Sequence, residues 1–168
     1  DGSTVGFMSV EGFGIVCSYC VADSVRSEAK SVIHGFSDLG IDVNMLTGDN
    51  AKAATSIGLG VGLKHNQIKS NLLPHEKLDL VEEMMKNEKS LVSERRCFKG
   101  VRPGLILMVG DGVNDAPALA LADVGVAMGA GAALAMETAD ITLLDSNLEK
   151  LLKVVKLGKA VTRTIIEN

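Results

Sequence analysis

At 168 residues and 46% hydrophobic, the chain is long enough for one buried core and too apolar for disorder. A net charge of −4 excludes nucleic-acid binding through phosphate neutralisation, and 3% aromatic residues leave no stacking platform for single strands. Three cysteines, Cys17, Cys20 and Cys97, make no disulfide framework and suit a reducing compartment.

Thr4–Ser9 and Phe13–Val21 flank Glu11-Gly12 and read as a hairpin. Cys17-Ser-Tyr-Cys20 is formally C-x-x-C, but thiols three apart on a strand point to opposite faces, and no second pair accompanies them. Asp23 is placed to cap a helix from Ser24 to Leu39, with Val25, Ala29, Val32, Ile33 and Phe36 inward and Gly40 as its stop. Asp42–Leu46 is a short strand that runs into Thr47-Gly48-Asp49-Asn50 and a helix over Ala51–Gly58. A strand at Ile68–Ser70 precedes a helix from Pro74 to Met85, with Pro in its first turn. Lys86–Pro103 is polar and aperiodic and is expected to be an exposed loop.

Leu105–Val109 is a strand ending in Gly110-Asp111-Gly112. A helix at Asn114–Leu121, a strand at Val124–Ala127, a helix at Ala132–Thr138 and a strand at Ile141–Leu144 follow, then a long helix from Asn147 to Ile166. Ala116–Met136 is apolar enough to imitate a membrane span, but Asp123, Gly125, Gly129 and Gly131 interrupt it. The chain opens Asp1-Gly2-Ser3-Thr4, without the basic start or apolar block of a secretory signal. Strands alternating with helices predict an α/β fold with a mostly parallel sheet covered on both faces.

Chemistry concentrates in Met45–Asn50, Pro74–Lys77 and Met108–Pro117. The first and third are strand-to-helix turns, where doubly wound sheets bind ligands. Alone, Thr-Gly-Asp is usually only a turn, and Pro-x-x-Lys only a helix start with a solvated lysine. Two Asp, an Asn and a Gly straight after an apolar strand are harder to dismiss. The set suits Mg²⁺-assisted phosphoryl transfer, because Mg²⁺ takes one or two carboxylates plus phosphate oxygens. Asp111 and Asp115 are the candidate metal ligands. The Thr47 hydroxyl and Gly48 amide would donate to phosphate at a helix start, and Asp49 shares their turn. Lys77 would balance negative charge, and Asn114 would donate to an equatorial oxygen. His34, His65 and His75 do not cluster, and the methionines read as core filler. Lys150, Lys153, Lys156, Lys159 and Arg163 make the last helix basic: a solvated face, or one drawn to an anionic membrane surface.

Met45–Asn50, Pro74–Lys77 and Val109–Leu119 together resemble the motifs of P-type cation-transporting ATPases, in the haloacid-dehalogenase-like superfamily. Asp23-Ser24-Val25-Arg26 resembles the family's D-x-x-R, and Val124–Asp140 resembles the heavy-metal-transporting branch. The resemblance implies a Rossmann-like, haloacid-dehalogenase-type parallel sheet. It implies that Thr47 contacts the phosphoryl group, that Lys77 stabilises the phosphorylated state, and that Asp111, with Asn114 and Asp115, forms the Mg²⁺ site. Asp23 and Arg26 would lie at the hinge to an ATP-binding domain, whose last two strands would be the hairpin over residues 1–22. Residues 23–146 would be the phosphorylation domain, and 147–168 a helix leading to a membrane span.

ATP and a heavy-metal cation would be the substrates of such a multi-pass pump, with this segment on the cytosolic side, or the stromal side in a plastid. Its partners would be the remaining domains of the same polypeptide. D-K-T-G-T, which supplies the aspartyl nucleophile in these pumps, occurs nowhere in the sequence. The chain is therefore read as a fragment, inactive alone, with the central nucleophile strand of its sheet missing. A strand-wide gap or a non-native pairing is expected there, and marginal stability with it. A stand-alone phosphatase of the same superfamily and a non-catalytic Mg²⁺ or phosphate-binding module are the rival readings.

Overall fold

The computed structural model describes residues 4–21, 24–94, 104–111, 113–129, 137–145 and 147–167. Asp23, Cys97 and most of the helix expected over Ala132–Thr138 lie outside the described residues. The chain divides into two compact units, Asp1–Leu72 and Leu73–Asn168.

The first unit opens with the expected hairpin, β1 (Thr4–Val10) and β2 (Gly14–Val21), paired antiparallel. Gly12 and Gly14 take positive φ at the turn, where a Cβ would be strained. A register shift between Met8 and Ser9 marks a bulge. Tyr19 lies across its partner Gly6, so a Cβ there would fall 2.2 Å from the ring. Every residue of β2 is exposed, and among the described residues the two strands pair only with each other.

Helix α1 (Ala29–Asp38) starts later than expected. Glu28 occupies its cap position without a side-chain capping bond, and Ser24–Arg26 are outside it, so the expected start at Ser24 is corrected. Val32 and Phe36 are its large buried side chains, and Gly40 ends it at φ 69°. The strand β3 is only Met45–Leu46; it pairs parallel with β4 (Ile68–Lys69) across α2 (Ala51–Gly60).

The second unit holds α3 (Pro74–Glu94), β5 (Leu107–Gly110), α4 (Ala116–Leu121), β6 (Val124–Met128), β7 (Ile141–Leu143) and α5 (Leu148–Glu167). Its strands form a parallel sheet in the order β5-β6-β7. Leu119, Val81 and Val126 are its largest fully buried side chains. Close approach fixes one glycine: a Cβ on Gly125 would fall 2.4 Å from the Leu119 carbonyl oxygen, so α4 sits on β6 only because that Cβ is absent. Two carboxylates tie the sheet's edges, Asp123 accepting from the Ile106 amide and Asp140 from the Gly125 amide, both at 2.8 Å.

The loop expected over Lys86–Pro103 is a further correction, because α3 continues to Glu94. This stretch lacks an apolar stripe but is built largely of good helix formers, and Glu82 pairs with Lys86 at 2.7 Å one turn apart. Residues 95–103 are outside the described set. The fold is α/β with parallel pairing, as expected, but the pairing is split between β3–β4 and β5–β6–β7. Among the described residues no strand of one ladder pairs with a strand of the other.

Candidate functional site

In the first unit the turn after β3 is held by its own hydrogen bonds. Thr47 Oγ1 donates to Asp49 Oδ2 at 2.8 Å and accepts from the Asp49 amide at 3.1 Å, a Thr-centred turn. Asn50 caps α2, its Oδ1 accepting from the Ala53 amide at 3.0 Å. Three backbone bonds staple the turn to the segment after β4. The Thr47 amide donates to Lys69 O, Leu72 to Thr47 O and Asn71 to Asp49 O. Asn71 closes this staple at φ 56°, a left-handed conformation that Asn tolerates. Gly48 lies close to the Leu72 carbonyl, 3.3 Å from where a Cβ would lie, so a side chain there would be tight. Thr47, Gly48 and Asp49 are thus brought together, on a loop of fixed shape.

Arg26 lies ahead of α1 and, with Val25, Lys30, Ser56 and Ile57, lines an open cavity of about 350 Å³. Its guanidinium and the Lys30 ammonium make that lining basic. None of Thr47, Gly48 and Asp49 lines it.

In the second unit Pro74 opens α3, and the Glu76 carboxylate reaches back to the Leu73 amide at 2.7 Å, the returning half of a capping box. This fixes the first turn and with it Lys77, whose amide bonds Leu73 O at 3.1 Å. The Lys77 ammonium meets Asp115 Oδ1 at 2.8 Å, with side-chain exposures of 16% and 13%. Asp115 ends a 3-10 turn, Val113–Asp115, that leads into α4. Its carboxylate is pressed against the end of β5: a Cβ on Gly110 would lie 2.6 Å from Asp115 Cβ and 3.0 Å from Oδ2. Asp111 and Asn114 are exposed on the same turn. The described part of this site therefore joins Lys77, 38 residues away in sequence, to the Asp115 carboxylate, with Asp111 open to solvent beside the strand end.

Asp111, Asp115 and Asn114 offer only hard oxygen donors and Lys77 a cation, which fits Mg²⁺ with a phosphate and does not fit a soft metal. Among the described residues no group of three His, Cys, Asp or Glu could cage a metal. Mg²⁺ needs no such cage, because it keeps waters and shares phosphate oxygens. Asp115 already has one oxygen on Lys77, which leaves Asp111 as the more available carboxylate.

The expected residues that escape this picture are Asp23, outside the described residues, and Arg26, which lines the basic cavity. Two contributors were missed. Gly110 makes room for Asp115, and its place between an apolar strand and the Asp-rich turn was the available signal. Asn71 closes the Thr47 loop, and nothing local in the sequence marks it.

The family model for haloacid dehalogenase-like hydrolases matches residues 10–123. Over 167 residues the chain is 41% identical to the probable copper-importing P-type ATPase A of Enterococcus hirae, covering 99% of this chain and 21% of that protein. Over 168 residues it is 37% identical to a copper-exporting P-type ATPase of Staphylococcus aureus, covering all of this chain and 19% of that protein. The crystal structure of a zinc-transporting PIB-type ATPase superimposes with a TM-score of 0.76 at 32% identity, over 99% of this chain and 24% of that one. The catalytic domain of the CPx-ATPase CopB-B gives 0.66 at 27% identity, over 92% of this chain and 58% of that one. The chain belongs to the haloacid dehalogenase-like hydrolase family, and the relatives and solved structures it resembles here are P-type ATPases. It spans about a fifth of the length of the curated relatives it matches, at 21% and 19%.

Proposed function

We propose that this chain is the phosphorylation-domain part of an ATP-driven heavy-metal pump and carries residues that handle Mg²⁺ and the phosphoryl group. The observation that carries the reading is the enclosed Lys77–Asp115 pair at the end of β5, with Asp111 exposed beside it. A largely buried lysine bound to a carboxylate would supply positive charge to a phosphoryl group bound at the end of β5. Lys77 neutralises Asp115 in the resting state and turns part of its field to an arriving phosphoryl oxygen. Asp115, packed on Gly110, holds the ammonium in place. Asp111 would hold Mg²⁺, with the second oxygen of Asp115 in reserve. When bound, that ion would offset charge on the transferring group.

Thr47 Oγ1 would exchange Asp49 for a phosphoryl oxygen, and the Gly48 amide would donate alongside it. Asn114 would donate to an equatorial oxygen. Arg26, with Asp23, would act towards ATP. The aspartyl nucleophile must come from a D-K-T-G-T segment, which this sequence lacks. Alone, the chain binds Mg²⁺ weakly and turns nothing over. In the intact pump the remaining domains of the same polypeptide complete the cycle, and membrane helices carry the metal cation.

The test is the coding sequence upstream of Asp1, followed by expression with whatever it encodes. The reading expects D-K-T-G-T there and an acyl phosphate formed from ATP and Mg²⁺ that Asp111→Asn abolishes. A chain translated as it stands, hydrolysing small phosphoesters through Asp111, would replace it with the phosphatase reading.

A further inference from the structure

Lys77 and Asp115 are an enclosed pair whose two ends are held differently. Asp115 is fixed at its root: its Cβ lies 2.6 Å from where a Cβ on Gly110 would be, so the carboxylate is pressed on the end of β5. Among the described residues it is the only charged residue that is buried. Lys77 is fixed through its backbone, whose amide donates to Leu73 O at 3.1 Å in the turn that Glu76 caps. Its ammonium, on a flexible four-carbon stem, can leave Asp115 without moving α3. For now it occupies Asp115 Oδ1 at 2.8 Å. The pairs Lys86–Glu82 and Lys150–Asp145 have side chains at least half exposed, so water already competes for them. Asp111, four residues before Asp115 and exposed, is the open carboxylate of the turn. A divalent cation at Asp111 would share that turn with the Lys77 charge, where water screens the repulsion poorly. A phosphate would draw the same ammonium towards itself.

We propose that Lys77 is a latch that couples Mg²⁺ to phosphate: it blocks Asp115 until one of the two ligands moves its ammonium away. The inference rests on the phosphorylation reading and adds a regulation of that site. With the latch closed, the turn offers Mg²⁺ one free carboxylate, Asp111, and the charge of Lys77 is neutralised by Asp115. With it open, Asp115 joins Asp111 and Lys77 meets the phosphate. Both ligands therefore favour the open arrangement, and ligands that favour the same state of a two-state element bind cooperatively. By linkage each tightens the other by the same factor. The turn would thus hold Mg²⁺ firmly only when a phosphoryl group is present.

The test is amide NMR titration of the 168-residue chain with Mg²⁺, with and without inorganic phosphate, in the parent and in Lys77→Met. In the parent, phosphate should tighten Mg²⁺ by at least about tenfold. In Lys77→Met, Mg²⁺ alone should bind more tightly than in the parent, and the phosphate factor should shrink at least about fivefold. Coupling through direct contact of ion and phosphate survives this substitution, so an equal factor in both chains would overturn the latch. Lys86→Met removes the same charge from an exposed pair on the same helix and should change neither value. If it lowers the phosphate factor as much as Lys77→Met does, general charge explains the effect and the latch is overturned. Should Lys77→Met not fold, the parent decides. Its Lys77 ammonium protons should exchange with water faster once Mg²⁺ alone is added; an unchanged rate at saturating Mg²⁺ would overturn the latch. Mg²⁺ shifts that vanish in Asp111→Ala but do not depend on Lys77 would remove the latch and leave the Mg²⁺ reading standing. Shifts indifferent to Asp111→Ala would remove both.

Discussion

Lys77 Nζ lies 2.8 Å from Asp115 Oδ1, and the two side chains are only 16% and 13% exposed. The pair links the first turn of α3 to the turn that follows β5. Removing one partner strands the other's charge in a poorly solvated place, which costs more than the pair contributes. Lys77→Ala should lower stability by about 2–4 kcal/mol, read from the urea midpoint. Lys77→Met combined with Asp115→Leu should recover most of that loss. A single variant as stable as the parent would show that the pair is solvated in solution.

The glycines at the ends of close contacts should be intolerant. Gly125→Ala puts a Cβ 2.4 Å from the Leu119 carbonyl oxygen, a backbone atom that cannot swing away. A loss of about 1–3 kcal/mol is expected from such overpacking. Gly60→Ala is the control: its Cβ meets nothing and sits in a helix, so stability should hold or rise slightly. Thermal denaturation of both variants decides whether α4 sits as tightly on β6 as described.

The Thr47 loop depends on a helix cap. Asn50→Ala removes the acceptor of the Ala53 amide and should cost about 1 kcal/mol. Asn71→Gly, by contrast, should be close to neutral, because glycine adopts φ 56° freely. Amide hydrogen exchange over Ala51–Ala54 should rise in the first variant and stay put in the second.

Lys150 hydrogen-bonds the Asp145 carboxylate ahead of α5 and holds its pKa below the ordinary 3.8. A carboxyl depressed in the folded state adds stability above its unfolded pKa and loses it as pH falls through the folded value. The Asp145 carboxyl carbon should therefore titrate below 3.8 by NMR and move up in Lys150→Ala. Both groups are half exposed, so the effect on unfolding should be small.

Local chemistry was the readable part of this sequence. Asn50 before Ala51, Pro74 at a helix start and Gly110-Asp111 after an apolar strand each mark a boundary through a short-range preference; both helices start where expected, and the strand, expected over Leu105–Val109, runs from Leu107 to Gly110. What spans distance was not readable. No spacing rule joins Lys77 to Asp115 across 38 residues, and only packing brings them together. The extension of α3 to Glu94 was missed for the opposite reason: its last turns carry helix propensity without an apolar stripe, and periodicity alone reads such a stretch as loop. Nor was it readable that, among the described residues, the parallel strands pair as two separate sets, β3 with β4 and β5 with β6 and β7.

The most direct test of the Mg²⁺ and phosphoryl assignment is an NMR titration of the amide-labelled chain with Mg²⁺ and inorganic phosphate together. The account predicts weak, saturable shifts centred on Val109–Asp115, with a second group at Thr47–Asp49, and loss of the first group in Asp111→Ala. Shifts spread evenly over the acidic surface and unchanged in Asp111→Ala would contradict it.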